Sequence, residues 1–313
     1  MKAIVQDAYG PPEVLRLEEV EKPVVNDGAV LLRVHTAGVN PLDWHYMRGV
    51  PYLARMAMGR NKPTVRVRGV DVAGRVDAVG KGVKRFRPGD DVFGLCDGAF
   101  AEYATALEDH LIGKPAGMTC EQAAAVPVAA LTALQGLRAG SVRSGRLLIN
   151  GASGGIGTFA VQIAKSYGAE VTGVCSSRNV DLVKSIGADH VIDYTREDFT
   201  KAGARYDMIL DNVGNHSLSA VRGALAAHGT LVYNSGASMR RIALAQLLWR
   251  VGQNVRMFST QRNHDDLDAI SRLIESGQLR SVMDRTYPLA QTAAAIAYVE
   301  AGHARGKVVI TID

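Results

Sequence analysis

The stretch Gly151-Ala-Ser-Gly-Gly-Ile-Gly157 has the residue types and spacing most suited to holding a phosphorylated cofactor. Glycines at 151, 154 and 157 let the backbone turn sharply, approach a pyrophosphate with no Cβ in the way, and bring a following helix close to the preceding strand. N–H groups at the start of such a helix bind phosphate, and the helix dipole adds to the attraction. The apolar run Leu147-Leu-Ile149 comes before the turn, and Phe159, Ala160, Ile163 and Ala164 follow it on one helical face, with Gly168 at the stop position. A glycine-rich turn alone also occurs in loops that bind nothing. A second strand-like run, Glu170 to Cys175, lies one βαβ length further on and turns the pattern into a dinucleotide site.

The end of that second strand bears on which dinucleotide is bound. NAD sites place an Asp or Glu about 20 residues beyond the glycines to hold a ribose hydroxyl, whereas this chain reads Cys175-Ser-Ser-Arg-Asn179. No carboxylate stands in that stretch. Ser176, Ser177 and the Arg178 guanidinium suit a 2′-phosphate, which favours NADPH. Ser and Asn are also good helix caps, and Ser176 to Asn179 can serve both purposes.

Elsewhere the composition excludes more than it proposes. The 313 residues are 47% hydrophobic and 21% charged, as in a soluble globular protein long enough for two domains. A net charge of +5 is dispersed with few interleaved aromatics, so an anionic cofactor rather than nucleic acid is the expected partner. Residues 240–250, apolar in the middle and arginine at both ends, suit a subunit contact, a cover over the active site or peripheral membrane contact. Cys96, Cys120 and Cys175 are far apart and form no CxxC pair, which indicates neither a disulfide framework nor a thiolate zinc site. With no signal-peptide pattern and no membrane-length apolar run, a cytoplasmic location is expected.

The elements that must position the turn follow a change in texture. Residues 1–118 are β-rich, with turn signals such as Asn26-Asp-Gly28 and Arg87-Pro-Gly-Asp90; Ala29 to His35 reads as one strand and Gly69 to Gly80 as strands broken at glycines. This is an antiparallel, partly barrel-like domain. From Thr119, helix and strand alternate. One alanine-rich helix is expected over Glu121 to Arg138, a second around Val180 to Ile186, and strands at His190 to Ile192, Met208 to Leu210, Thr230 to Tyr233 and Val255 to Ser259. Alternation of this kind gives a doubly wound parallel sheet. Helical patterns at Asp265 to Ser276 and Leu289 to Ala301 precede Lys307 to Ile312, a closing strand that can return to the first domain.

Several motifs, in order, resemble the zinc-independent quinone oxidoreductase branch of the medium-chain dehydrogenase/reductases: Ala37-Gly-Val-Asn-Pro-Leu-Asp43, Gly69-Val-Asp-Val-Ala-Gly74, Arg87-Pro-Gly-Asp90, Gly98-Ala-Phe-Ala-Glu-Tyr103, Ala123 to Leu137, Asn150 to Gly157, Gly187-Ala-Asp-His-Val-Ile-Asp-Tyr194 and Gly306-Lys-Val-Val309. The resemblance spans essentially the whole chain. It implies an α/β protein with a GroES-like β-rich catalytic domain over 1–120, completed by 260–313, and a Rossmann NADP-binding domain over 121–259. It also implies a cofactor cleft between the two and a homodimer.

By the same resemblance, Ser153, Gly154, Gly155 and Ile156 fall at the pyrophosphate, and Ser176, Ser177, Arg178, Asn179 and Tyr194 at the 2′-phosphate. Asn212 and Val213 fall near the ribose and nicotinamide. Zinc-dependent relatives carry a cysteine near Asn40 and a His-Glu pair where this chain has Val70-Asp71, so no metal is expected, and the eight histidines show no ligand spacing. Asn40-Pro-Leu-Asp43 has two readings. Asn at N-cap, Pro at N1 and Asp at N3 describe a well-capped helix start, while Asn40, Asp43 and Tyr46, one turn on, are candidate catalytic residues. The chain departs from the family at Arg68, where a proline is usual, and Trp44 to Lys62 is too variable to name a substrate. The activity implied is NADPH-dependent reduction of quinones or α,β-unsaturated carbonyls. The alternatives are a trans-acting enoyl reductase of lipid or polyketide synthesis, and a non-catalytic NADPH-binding sensor or RNA-binding protein.

Overall fold

Branched and small apolar residues dominate Ala29 to Val39, interrupted at Arg33, His35 and Thr36, and this strand is buried along most of its length and pairs on both sides. It belongs to a computed structural model that describes residues 1–141, 144–234 and 253–312. The chain divides into one unit of Met1–Ala129, Arg262–Glu275 and Ser281–Asp313, and a second of Ala130–Gln261 and Ser276–Arg280. Residues 240–250 lie outside the described residues.

The sheet of the first unit runs Met283–Pro288, Lys307–Thr311, Ala29–Val39, Asp71–Val79, Asp91–Leu95, Leu111–Gly113, with Tyr103–Leu107 also pairing with Ala29–Val39. Val30, Leu32, Val34, Val72, Phe100 and Ile310 form the heart of its core. The closing strand does return here: Val308 to Thr311 pair antiparallel with Val39 to Thr36. Directly after the central strand comes the helix Pro41–Arg48, with Asn40 at its N-cap (φ −127°, ψ 157°), Pro41 at its first position and Gly49 ending it at φ +65°. Arg48 anchors that helix to Thr292–Glu300 by gripping Glu300 with Nε and Nη2 at 2.7 and 2.9 Å.

The single helix expected over Glu121 to Arg138 is two helices, Cys120–Ala124 and Pro127–Ala139. Pro127 has no N–H to continue the ladder and drives Val126 off helical geometry, so the chain restarts at the proline.

The sheet of the second unit is parallel throughout, ordered His190–Asp193, Glu170–Cys175, Arg146–Asn150, Tyr206–Asp211, Leu225–Tyr233, Asn254–Met257. By sequence the order is 3-2-1-4-5-6, and it reverses between Arg146–Asn150 and Tyr206–Asp211. In such sheets ligands bind beyond the carboxyl ends of the strands at that reversal.

Candidate active site

The glycine turn stands at that reversal point. Gly151 follows Asn150 at φ +80°, and a Cβ there would lie 2.9 Å from Val213 Cγ2. A Cβ on Gly157 would meet Gly151 O at 2.1 Å and Ala152 Cα at 2.7 Å, so the close packing of helix on strand requires this glycine. Gly154 differs: the nearest protein atom to its virtual Cβ is Gly151 O at 3.4 Å. The protein itself does not demand a glycine there, but a pyrophosphate approaching the backbone does. Gly154 caps the helix Gly155–Ser166 and leaves the N–H groups of Gly155, Ile156 and Gly157 in its first turn with no intrahelical acceptor. These groups fit a dinucleotide phosphate.

Two short links bind this turn to the neighbouring strand ends. Asn179 Nδ2 donates to Ser153 Oγ (3.0 Å) and Ser176 Oγ (3.2 Å), joining the pyrophosphate turn to the end of Glu170–Cys175. Across the reversal, Asn150 Nδ2 donates to Asp211 Oδ1 (2.8 Å), and the N–H groups of Val213 and Gly214 donate to the same oxygen, which shapes the turn carrying Asn212 and Val213. Arg178 and Tyr194 are exposed, and the Tyr194 N–H bonds Cys175 O, so both stand at the outer strand ends.

One expectation needs correction at this corner. The stretch Cys175 to Asn179 holds no carboxylate, but the fold brings one in from the third strand: Ser177 Oγ donates to Asp193 Oδ2 and lies 2.9 Å from Thr195 Oγ1. The Ser177 hydroxyl, followed by the hydroxyl and N–H of Thr195 and the charge of Arg196, holds the Asp193 carboxyl below its usual range. Ser177 is therefore engaged, and a 2′-phosphate would meet Ser176, Arg178 and Tyr194 more directly.

In the first unit, Asn40, Asp43, Asp71 and Lys307 are brought into one buried cluster. Lys307, 2% exposed, donates from Nζ to Asn40 Oδ1 (2.6 Å), Val39 O (3.3 Å) and Asp71 Oδ2 (3.3 Å). Asn40 Nδ2 donates to Asp71 Oδ2 at 2.9 Å, and the Val128 N–H donates to Asp71 Oδ1 at 2.8 Å. Gly38 makes room, since a Cβ there would lie 2.8 Å from Asp71 Oδ2. An ammonium can only donate and a carboxylate only accept, so the Asn40 amide is fixed with oxygen toward Lys307 and nitrogen toward Asp71. One of its N–H groups then remains for another acceptor. Tyr46, half-buried on the same helix, faces the Arg68 guanidinium, whose Cζ is 5.1 Å from the ring centroid.

Asp43 Oδ2 accepts the Asn40 N–H at 2.7 Å and Oδ1 is buried without a partner. Burial, reinforced by the Asp71 charge, pushes the Asp43 carboxyl up to about 7, against the pull of the Asn40 N–H, Lys307 and Arg68. Between the unfolded and folded pKa the native state therefore holds the extra proton, and stability falls as pH rises from about 4 through about 7. The difference is on the order of 4 kcal/mol. Asp43→Asn keeps an oxygen acceptor and removes the titration. Its thermal midpoint relative to wild type should rise steadily over that window, and a difference independent of pH would refute the assignment.

Sequence reasoning missed Lys307 and Asp71 as members of this cluster, and Arg68 beside Tyr46. A signal for the first two was present: a lysine opening the apolar run Lys307-Val-Val-Ile and an aspartate within Val70-Asp-Val-Ala73 are charges inside strands that must be buried. Asp193 left no local signal, because only strand order brings it to Ser177.

A GroES-like catalytic fold and a six-stranded nucleotide-binding sheet together define the medium-chain dehydrogenase/reductase class. Residues 26–116 match the alcohol dehydrogenase GroES-like domain, and residues 186–310 the family described as zinc-binding dehydrogenase. The chain is 34% identical to the mouse (Mus musculus) "NAD(P)H oxidoreductase RTN4IP1, mitochondrial", covering 100% of this chain and 89% of that one. It is also 34% identical to the Arabidopsis thaliana "NADPH-dependent alkenal/one oxidoreductase, chloroplastic", covering 99% and 79%. A solved quinone oxidoreductase from Coxiella burnetii superposes with a TM-score of 0.91 at 32% identity, covering 100% of this chain and 99% of that one. The chain belongs to the zinc-independent quinone oxidoreductase-like branch of this superfamily. At the positions where zinc-dependent relatives hold metal, Asp71 is the only ionisable ligand type, and Lys307, Asn40 and Val128 already engage it.

The expected cytoplasmic location is overturned by the same relatives, which are named as mitochondrial and chloroplastic proteins. Free, unpaired cysteines distinguish reducing from oxidising surroundings and do not single out one reducing compartment. Among the described residues no helix is long and apolar enough to cross a membrane.

Proposed function

We propose that the chain is an NADPH-dependent, zinc-independent reductase of quinones and α,β-unsaturated carbonyls, with Asn40 and Tyr46 as the groups that meet the acceptor and the protein working as a homodimer. The observation that carries this reading is the Lys307–Asp71 pair, which holds the Asn40 amide by both ends and leaves one of its N–H groups available for an acceptor. Bound NADPH supplies the hydride. Without a metal to polarise it a plain ketone is a hard substrate, whereas a conjugated acceptor spreads the developing charge onto an oxygen that ordinary donors stabilise. The names of the quinone and alkenal/one oxidoreductase relatives support the same acceptor class. The homodimer draws support from Asn254–Met257, the outer strand of its sheet among the described residues, whose backbone edge is suited to pairing with a second copy.

Loss of NADPH absorbance on adding a small quinone or enone, measured with and without a chelator, tests the reading. Turnover that vanishes with chelation, or faster oxidation of simple alcohols than reduction of any enone, would sink it. Arg178→Ala should raise the NADPH KM about tenfold and leave NADH nearly unchanged, because a charged hydrogen bond to the 2′-phosphate contributes roughly 1.5–3 kcal/mol. Equal use of both cofactors by the wild type would contradict it.

A further inference from the structure

Arg68 lies on the segment that follows Val67, which bridges to Val5, and its carbonyl accepts the Phe100 N–H. Its side chain is 9% exposed, and both Nε and Nη2 are buried with no hydrogen-bond partner. These two nitrogens form one edge of the planar guanidinium. Elsewhere in the chain the same edge takes a carboxylate: Arg48 grips Glu300 with it at 2.7 and 2.9 Å, and Arg66 grips Asp7 with it at 2.6 and 3.1 Å. On Arg68 the edge is presented to nothing that the described residues supply.

The surroundings favour an anion. Tyr9, Tyr46 and Asp43 are the groups acting on Arg68, and the Asp43 carboxyl, pushed up to about 7, balances the guanidinium only in part at neutral pH. A second guanidinium, that of Arg55, stacks on Tyr9 at 4.3 Å and donates to the neutral carbonyls of Gly49 and Arg48. A buried guanidinium with an unused two-donor edge is strongly unfavourable unless a matching two-oxygen acceptor fills it.

We propose that the Nε–Nη2 edge of Arg68 is a carboxylate seat, and that the acceptor this site takes is an enone or quinone carrying a carboxylate. The inference rests on the reductase reading for the word acceptor, but the seat itself does not. The seat neighbours the candidate donor, since the Arg68 Cζ lies 5.1 Å from the Tyr46 ring centroid.

The test compares trans-4-oxo-2-pentenoate with its methyl ester as NADPH-dependent substrates, and 4-oxopentanoate with its methyl ester as unreactive ligands by calorimetry. The wild type should favour the acid over the ester by about tenfold or more in kcat/KM, as a two-pronged charged bond implies. Arg68→Met should bring that ratio to near one, and Arg68→Lys, which keeps the charge and loses the fork, should fall between. Calorimetry on the wild type should show the acid binding and the ester much weaker. Equal handling of acid and ester by the wild type, or a ratio unmoved in a folded Arg68→Met protein, overturns the carboxylate seat. If neither compound is reduced the reductase reading fails. The calorimetric pair then still decides the seat: selective binding of 4-oxopentanoate upholds it, and equal or absent binding refutes it.

Discussion

Lys307→Met is expected to lower the thermal midpoint of the first unit by roughly 6–20 °C. The substitution keeps the length and apolar stem of the side chain and removes only the ammonium. Asp71, fully buried, then keeps Asn40 and Val128 as donors and loses the opposite charge of Lys307. Burial already pushes the Asp71 carboxyl up, with the charge and hydrogen bond of Lys307 among the forces opposing it, so the lone carboxylate must either stay charged in an apolar strand pair or take up a proton. Breaking a buried pair from one side costs about 3–5 kcal/mol, and a unit of this size loses roughly 2–4 °C per kcal/mol. Adding Asp71→Asn should recover part of the loss, because the uncompensated charge goes with it. Turnover should fall as well, since the Asn40 amide is no longer held with its oxygen toward a donor. A Lys307→Met protein that melts within about 2 °C of wild type would show that the pair contributes little.

The pair also shows where reading the sequence stops. The glycine turn, the strand before it, the helix after it and the strand at Glu170–Cys175 were all legible, because each depends on local spacing and on backbone rules that neighbouring residues obey. The capped start at Asn40-Pro-Leu-Asp43 was legible for the same reason. What local pattern could not show was the second use of the Asn40 side chain, because its partners lie 31 and 267 residues away and meet it only through the antiparallel pairing of Ala29–Val39 with Asp71–Val79 and Lys307–Thr311. Asp193 is the same case in the other unit, where parallel register sets Asp193 beside Cys175 and so brings a carboxylate to Ser177. Pro127 was a local signal that an alanine-rich pattern outweighed, and the helix broke there.

The largest effect on turnover is expected from Asn40→Ala, with Tyr46→Phe next. Hydride arriving at the far carbon of an enone, or at a quinone, drives negative charge onto the carbonyl oxygen, and only donors already aimed at that oxygen lower the barrier without reorganising. Asn40 qualifies because Lys307 and Asp71 fix both ends of its amide and leave one N–H uncommitted. Alanine removes that donor and also leaves Lys307 and Asp71 without the group between them, so a loss of about 10²–10³ in kcat is expected. Tyr46→Phe keeps the ring against Arg68 and removes only the hydroxyl, which isolates proton delivery from packing. Neither residue belongs to the nucleotide turn, so the NADPH KM should barely change while kcat and kcat/KM fall together, the signature of an interaction made in the transition state. A rise in NADPH KM with kcat intact would instead make Asn40 a binding residue, and full turnover in both variants would remove the two from the chemistry.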